Sequence, residues 1–148
     1  MNAAGEARAT DRPHVRVVVA EIEHDGAFLL TQRRPAALYP LLWEFPGGRV
    51  NVGESDADAL RRTLMERMGV HIDILGPSID TAHDYGTYVV ELVVLRARLH
   101  EGPRALRVHD VAWVRPEHFD RYEFPPADRH TVARLLGLDA DAADGSVG

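Results

Sequence analysis

The segment Trp43–Val70, WEFPGGRVNVGESDADALRRTLMERMGV, constrains this chain most, because in it a glycine-containing loop runs straight into a helix with both ends marked. Ser55 is a good N-cap, and Asp58 follows three residues later in a capping-box-like arrangement. Gly69 supplies the left-handed stop, so a helix is expected over residues 56–68. Ala57, Leu60, Leu64 and Met68 recur at helical spacing and form the expected buried stripe. Arg62 and Glu66 lie one turn apart on another side, and Glu54 sits just ahead of the helix, where its positive end favours a carboxylate. Such a loop–helix unit can hold carboxylates rigidly over a cleft, as a hard cation such as Mg²⁺ requires. On periodicity alone, an ordinary surface helix with one weak ion pair is the simpler reading.

Strands surround this segment. Residues 15–23 are rich in β-branched side chains, and Asp25-Gly26 predicts a hairpin into a strand over 27–32. Residues 33–42 read as a basic, proline-bounded loop, and residues 43–45 as a short strand that Pro46-Gly47-Gly48 ends. Strands are expected over 70–75, 80–85, 87–99 and 111–114, the third of these central and covered on both faces where it begins. A helical turn is expected over 116–119 and a final helix over 126–136. The sum is a mixed α/β sandwich formed by one domain over 14–138, with a disordered leader (1–13) and a disordered tail (139–148).

Composition closes several routes. The 148 residues include no cysteine, so disulfides, thiolate catalysis and zinc–thiolate sites are excluded, which suits a cytoplasmic protein. A formal net charge of −6 argues against general nucleic-acid or anionic-membrane binding, though not against a small phosphorylated ligand held in a local basic pocket. No apolar run reaches the roughly 20 residues of a membrane helix. The eight histidines are scattered; His24, His71 and His100 sit at turns or strand ends, without the spacing of a helical metal pair. Exposed strand edges leave monomer and homodimer both open.

The helix segment resembles the Nudix box: a Gly, five residues, a Glu, seven residues, then Arg-Glu-aliphatic-x-Glu-Glu-x-Gly-aliphatic. Gly48, Glu54, Arg62, Leu64, Glu66, Gly69 and Val70 fall in register, WEFPGG precedes the box, and the 15–32 hairpin lies upstream as in that family. The likeness covers about residues 14–137, and FPPADR at 124–129 is similar to the tail of MutT-type nucleotide-sanitising and CTP-hydrolysing members. It implies the Nudix fold, a mixed sheet in an α/β/α sandwich. It also implies hydrolysis of a phosphoanhydride in a nucleoside di- or triphosphate, assisted by Mg²⁺ or Mn²⁺. The catalytic candidates are then Glu66, Glu54 and Arg62, with Glu66 the surviving metal ligand. Arg33, Arg34, Gly47, Gly48, Arg67 and Asp128 become candidates to bind nucleotide. Asp128 lies where members read the base edge, and as a carboxylate it would accept hydrogen bonds; its plain alternative is to cap the last helix. Phe124 and Tyr85 could stack on a base or belong to the core.

Two box positions depart from the pattern. The Glu after the Arg is Thr63, and the second Glu of the Glu-Glu pair is Arg67. A further acid that many members carry about six residues before a tryptophan of the last core strand falls, counting back from Trp113, on Arg107. A cation and a guanidinium about 4 Å apart repel by roughly 4 kcal/mol per unit charge in a surface-like dielectric, so metal binding at Glu66 is expected to be weak or absent. Two readings follow. A hydrolase, weak or atypical in its metal use, would recruit acids such as Asp56, Asp58, Asp84, Glu91 or Asp110. A non-hydrolysing binding or regulatory domain, needing no cofactor, would hold the phosphates on Arg62, Arg67 and Arg107. Simple pairing of these arginines with Glu54 and Glu66 remains the structural alternative.

Overall fold

The computed structural model describes residues 12–137, so the tail and residues 1–11 of the leader lie outside the described residues. Strand β1 (His14–Glu21) pairs in parallel with β7 (Val89–Leu99) and antiparallel with β5 (Gly47–Arg49). β7 also pairs with β6 (Ile72–Asp84), giving a mixed sheet of order β5-β1-β7-β6 with β7 inside it, as its apolar start predicts. A second, antiparallel sheet joins β2 (Glu23–His24), β3 (Ala27–Gln32) and β4 (Trp43–Glu44), with β8 (Asp110–Val114) on β3. Asp25 and Gly26, both at positive φ (51° and 82°), turn β2 into β3 as the hairpin signal requires.

Helix α1 (Asp56–Met68) begins and ends where its caps place it: Ser55 Oγ accepts from the Asp58 N–H at 3.1 Å, and Gly69 adopts φ 67°. Its buried face is Ala59, Leu60, Thr63, Leu64 and Met68. Ala59 rather than Ala57 completes the stripe, because Thr63 turns inward one turn later. This face packs on Val18, Ala20 and Val93 of the mixed sheet. The alternate residues of the same strands, Val19, Leu92 and Val94, point the other way and pack with Phe28, Leu30, Phe45 and Phe119 between the sheets. Two 3₁₀ turns (Pro116–Arg121 and Pro126–Asp128) lead into the short α2 (Arg129–Leu135), whose Val132 and Leu135 cover that second core. The result is an α/β/α sandwich.

Three boundaries differ from the sequence expectation. Gly47 and Gly48 do not end a strand; with Arg49 they form β5 against Val17–Val19. A Cβ on Gly47 would lie 2.0 Å from the Val18 carbonyl oxygen, so only glycine permits this approach. The strands expected over 70–75 and 80–85 are one edge strand, continuous through register shifts at Ile74/Gly76 and Pro77/Ile79, where bulges absorb the glycine and the proline. The final helix is a 3₁₀ turn before it is an α-helix.

Candidate functional site

Two adjoining hollows open beside β5 and the C-terminal half of α1. The larger, about 520 Å³, lies between the sheets, with Val17, Val19, Val90 and Leu92 as apolar walls and Gly47 and Gly48 along one side. Tyr39, Tyr85 and Tyr88 form an aromatic rim, Tyr85 and Tyr88 stacked at 5.0 Å and Tyr39 5.6 Å from Tyr85. The Tyr85 hydroxyl oxygen accepts from the Ala127 N–H at 3.0 Å, tying the rim to the turn that carries Asp128. The smaller hollow, about 300 Å³, is lined by Arg34, Arg107 and Glu66. Arg33, Glu44 and Arg67 line both, so the two hollows adjoin at these three side chains.

Asp128 is the most unusual group in the larger hollow. Only 5% of it is exposed, and its Oδ2 has no hydrogen-bond partner among the described residues. It makes no cap to α2. Burial, and then the neighbouring charge of Glu44, push its carboxyl well above the usual carboxylate range, with Arg33 opposing. A shift in this direction biases the side chain toward the neutral acid, which donates as well as accepts. Glu44 is also pushed up by burial, against the attraction of Arg33 and Arg67. Arg33 bonds it at 3.0 Å while donating from Nε to the Leu38 carbonyl at 2.6 Å. Glu44, Tyr39 and Tyr88 were not singled out by the sequence. Position 44 could have been found through its place between Trp43 and Phe45, but its partners are distant in the chain.

The box acids are held elsewhere. Arg62 donates to both oxygens of Glu54 at 2.8 and 2.9 Å, to Glu66 at 3.0 Å and to the Arg49 carbonyl at 2.9 Å. Glu54 also accepts from the Asn51 N–H, and the Arg62 bonds, followed by this one, pull its carboxyl down to about 2. These three side chains lock the loop to α1, which is the structural alternative the sequence allowed. Only Glu66, 48% exposed, also faces the smaller hollow. Thr63 is buried and donates its hydroxyl to the Leu60 carbonyl at 3.2 Å, and its methyl group lies against Gly48. Arg67 reaches the same glycine, its guanidinium 3.2 Å from where a Cβ would stand.

These residues do not fit a divalent metal. Among the described residues no three His, Asp or Glu side chains converge on one point. The acids that might have replaced the lost pair are dispersed and engaged: Asp56 and Glu91 hold Arg16, Asp84 holds Arg12, Asp58 contacts Arg61, and Asp110 bonds its neighbour's N–H. Phe124 stacks on Phe45 and contacts Phe119, so it belongs to the core. What converges instead is positive charge. Leu106 and Arg107 both donate their N–H to the Arg67 carbonyl at 3.0 Å, and Arg104 donates to that of Met68 at 3.2 Å. The helix's final carbonyls thus seat the 104–107 loop, while the His109 N–H bonds the Gln32 carbonyl. Both anchors bring Arg107 beside Arg67 and the end of β3.

Comparison with known proteins agrees with this architecture. The family model described as NUDIX domain matches residues 17–134. The chain is 30% identical over 127 residues to the CTP pyrophosphohydrolase of Escherichia coli K12, covering 85% of this chain and 94% of that protein. It is 33% identical over 132 residues to a putative 8-oxo-dGTP diphosphatase 2 of Mycobacterium tuberculosis, with 86% and 93% covered. Among solved structures, the E. coli ORF135 protein superposes with a TM-score of 0.76 at 28% identity over 89% of this chain and 95% of that one. The MutT protein of Methanosarcina mazei Go1 shares the fold, with a TM-score of 0.75 at 22% identity over 84% and 94% of the chains. The chain is a member of the NUDIX family.

Proposed function

We propose that this protein takes a nucleoside di- or triphosphate, with the base in the larger hollow and the phosphates in the smaller, and cleaves a phosphoanhydride bond weakly and with atypical dependence on metal. The observation that carries the reading is the adjacency of the two hollows, one largely apolar with a buried carboxyl pushed toward its neutral form, the other basic. A neutral Asp128 offers a donor and an acceptor side by side, the complement of a base edge that presents both. The tyrosine rim gives flat apolar area against which a base can lie. The relatives named for CTP and 8-oxo-dGTP support a nucleotide of this class. A cytoplasmic setting, no general nucleic-acid binding, and a monomer or homodimer complete the reading.

On the phosphate side of this reading, Glu66, which lines the smaller hollow, takes a proton from an attacking water. As the new bond from the water oxygen to phosphorus forms, the bridging P–O bond breaks. The departing phosphate or pyrophosphate carries away the electron pair, and guanidinium groups balance its charge. A second reading, a non-hydrolysing binding or regulatory domain, is favoured by one observation: box positions 63 and 67 hold Thr and Arg, with Arg107 beside them. Incubation with a panel of nucleoside triphosphates and nucleotide sugars in Mg²⁺, Mn²⁺ or EDTA separates the two. Turnover abolished in Glu66→Gln supports the hydrolase. Tight binding with no turnover under any of these conditions supports the second reading.

A further inference from the structure

Arg34, Arg67 and Arg107 face one small cleft in a chain of net charge −6. None of the three makes a side-chain hydrogen bond or ion pair with another described residue, whereas Arg33 and Arg62, alongside them, are fully engaged. Three like charges gathered in one hollow repel; the acids that share it, Glu44 and Glu66, are bonded instead to Arg33 and Arg62. The Leu106 and Arg107 N–H groups both bond the Arg67 carbonyl, and the His109 N–H bond to the Gln32 carbonyl draws that loop to the end of β3, two residues before Arg34. Arg67 lies against Gly48 beside the Thr63 methyl group, its guanidinium where a larger residue's Cβ would crowd it.

We infer that these three guanidinium groups bind the polyphosphate directly, in the place a metal ion would take, so that the protein binds its ligand as the metal-free anion and a divalent cation competes with it. The inference rests on the nucleotide reading above and adds to it the ionic form of the ligand. Guanidinium groups make paired hydrogen bonds to phosphate oxygens and carry their charge at any physiological pH. A magnesium–polyphosphate complex offers less negative charge, and it brings a cation toward Arg67. Magnesium should therefore weaken binding, which is the opposite of its effect where carboxylates hold the ion.

The test is calorimetric titration of the full chain with inorganic tripolyphosphate, which has no base, in EDTA and then in increasing Mg²⁺. The expected result is binding that persists in EDTA, weakens several-fold in millimolar Mg²⁺, and weakens further with added NaCl. Arg67→Ala and the double variant Arg34→Ala/Arg107→Ala should each lower affinity roughly tenfold or more. Thermal unfolding identifies any variant that has lost its fold, and Arg67→Lys, which keeps the charge without the forked donors, should fall between. Binding that requires Mg²⁺, or binding in EDTA that none of these substitutions changes, overturns the inference. If tripolyphosphate binds as expected but nucleotides bind no tighter and Asp128→Ala changes neither, the arginine site stands and the nucleotide reading fails.

Discussion

The two halves of the cleft differ in how they hold charge. In the larger hollow the polar groups are few, buried and mutually adjusted: Arg33 bonds Glu44, and Asp128 is driven toward its neutral form. In the smaller one Arg34 and Arg107 are exposed and, with Arg67, unpaired among the described residues. Burial penalises an ion that lacks a partner, so the larger hollow biases Asp128 toward the neutral acid. Exposure tolerates loose arginines, so the smaller hollow can wait for an anion. The half that would recognise a base is built into the core, and the half that would meet phosphate is a matter of surface charge. The second is the easier to change by substitution, and there the chain departs from the pattern of its family.

The comparison can be broken most severely at the strand that both hollows share. Gly47→Ala places a methyl group against the Val18 carbonyl and should cost about 3 kcal/mol or more, read by denaturant unfolding. A smaller cost would mean that β5 can move away from β1 without loss. Next in size, Asp128→Ala should weaken nucleoside triphosphate binding by tens of fold, about 2 kcal/mol, while tripolyphosphate affinity stays unchanged. Equal losses for both ligands would show that the hollows are not separable.

A third prediction concerns pH. Because the folded state raises the Asp128 carboxyl, the folded protein keeps a proton that the unfolded chain gives up, and stability falls as pH climbs above the ordinary carboxyl value of about 4. Asp128→Asn cannot ionise. Its stability relative to the parent should therefore rise as pH climbs above about 4 in thermal unfolding and level off where the folded carboxyl ionises, and a flat difference would refute the raised carboxyl. The smallest expected effect is Ser55→Ala, which removes the cap of α1 at about 1 kcal/mol and should leave both ligand affinities near the parent values.

What the sequence revealed follows from how local the signals are. Helix α1 was legible to the residue because Ser55 and Gly69 act within one turn of its ends. The Asp25-Gly26 hairpin was legible for the same reason. β5 was not: its glycines read locally as a stop, and only the approach of Val18 from a distant strand explains them. The long β6 was split in two because Gly76 and Pro77 look like a break unless bulges on an edge strand accommodate them. At the site, the losses at positions 63 and 67 were visible in the box spacing. Glu44 was missed, since its role arises from Arg33 and Asp128, residues that no spacing rule links to it.

The central claim is that the phosphate half of this cleft has exchanged metal-binding oxygens for guanidinium groups. A crystal structure with a non-hydrolysable nucleoside triphosphate analogue, grown in magnesium, tests it most directly. The account predicts the base beside Asp128 and phosphate oxygens within hydrogen-bond distance of Arg34, Arg67 and Arg107, with no cation between them and Glu66. Ordered magnesium ions bridging Glu66 to the phosphates, with Arg67 turned away, would contradict it.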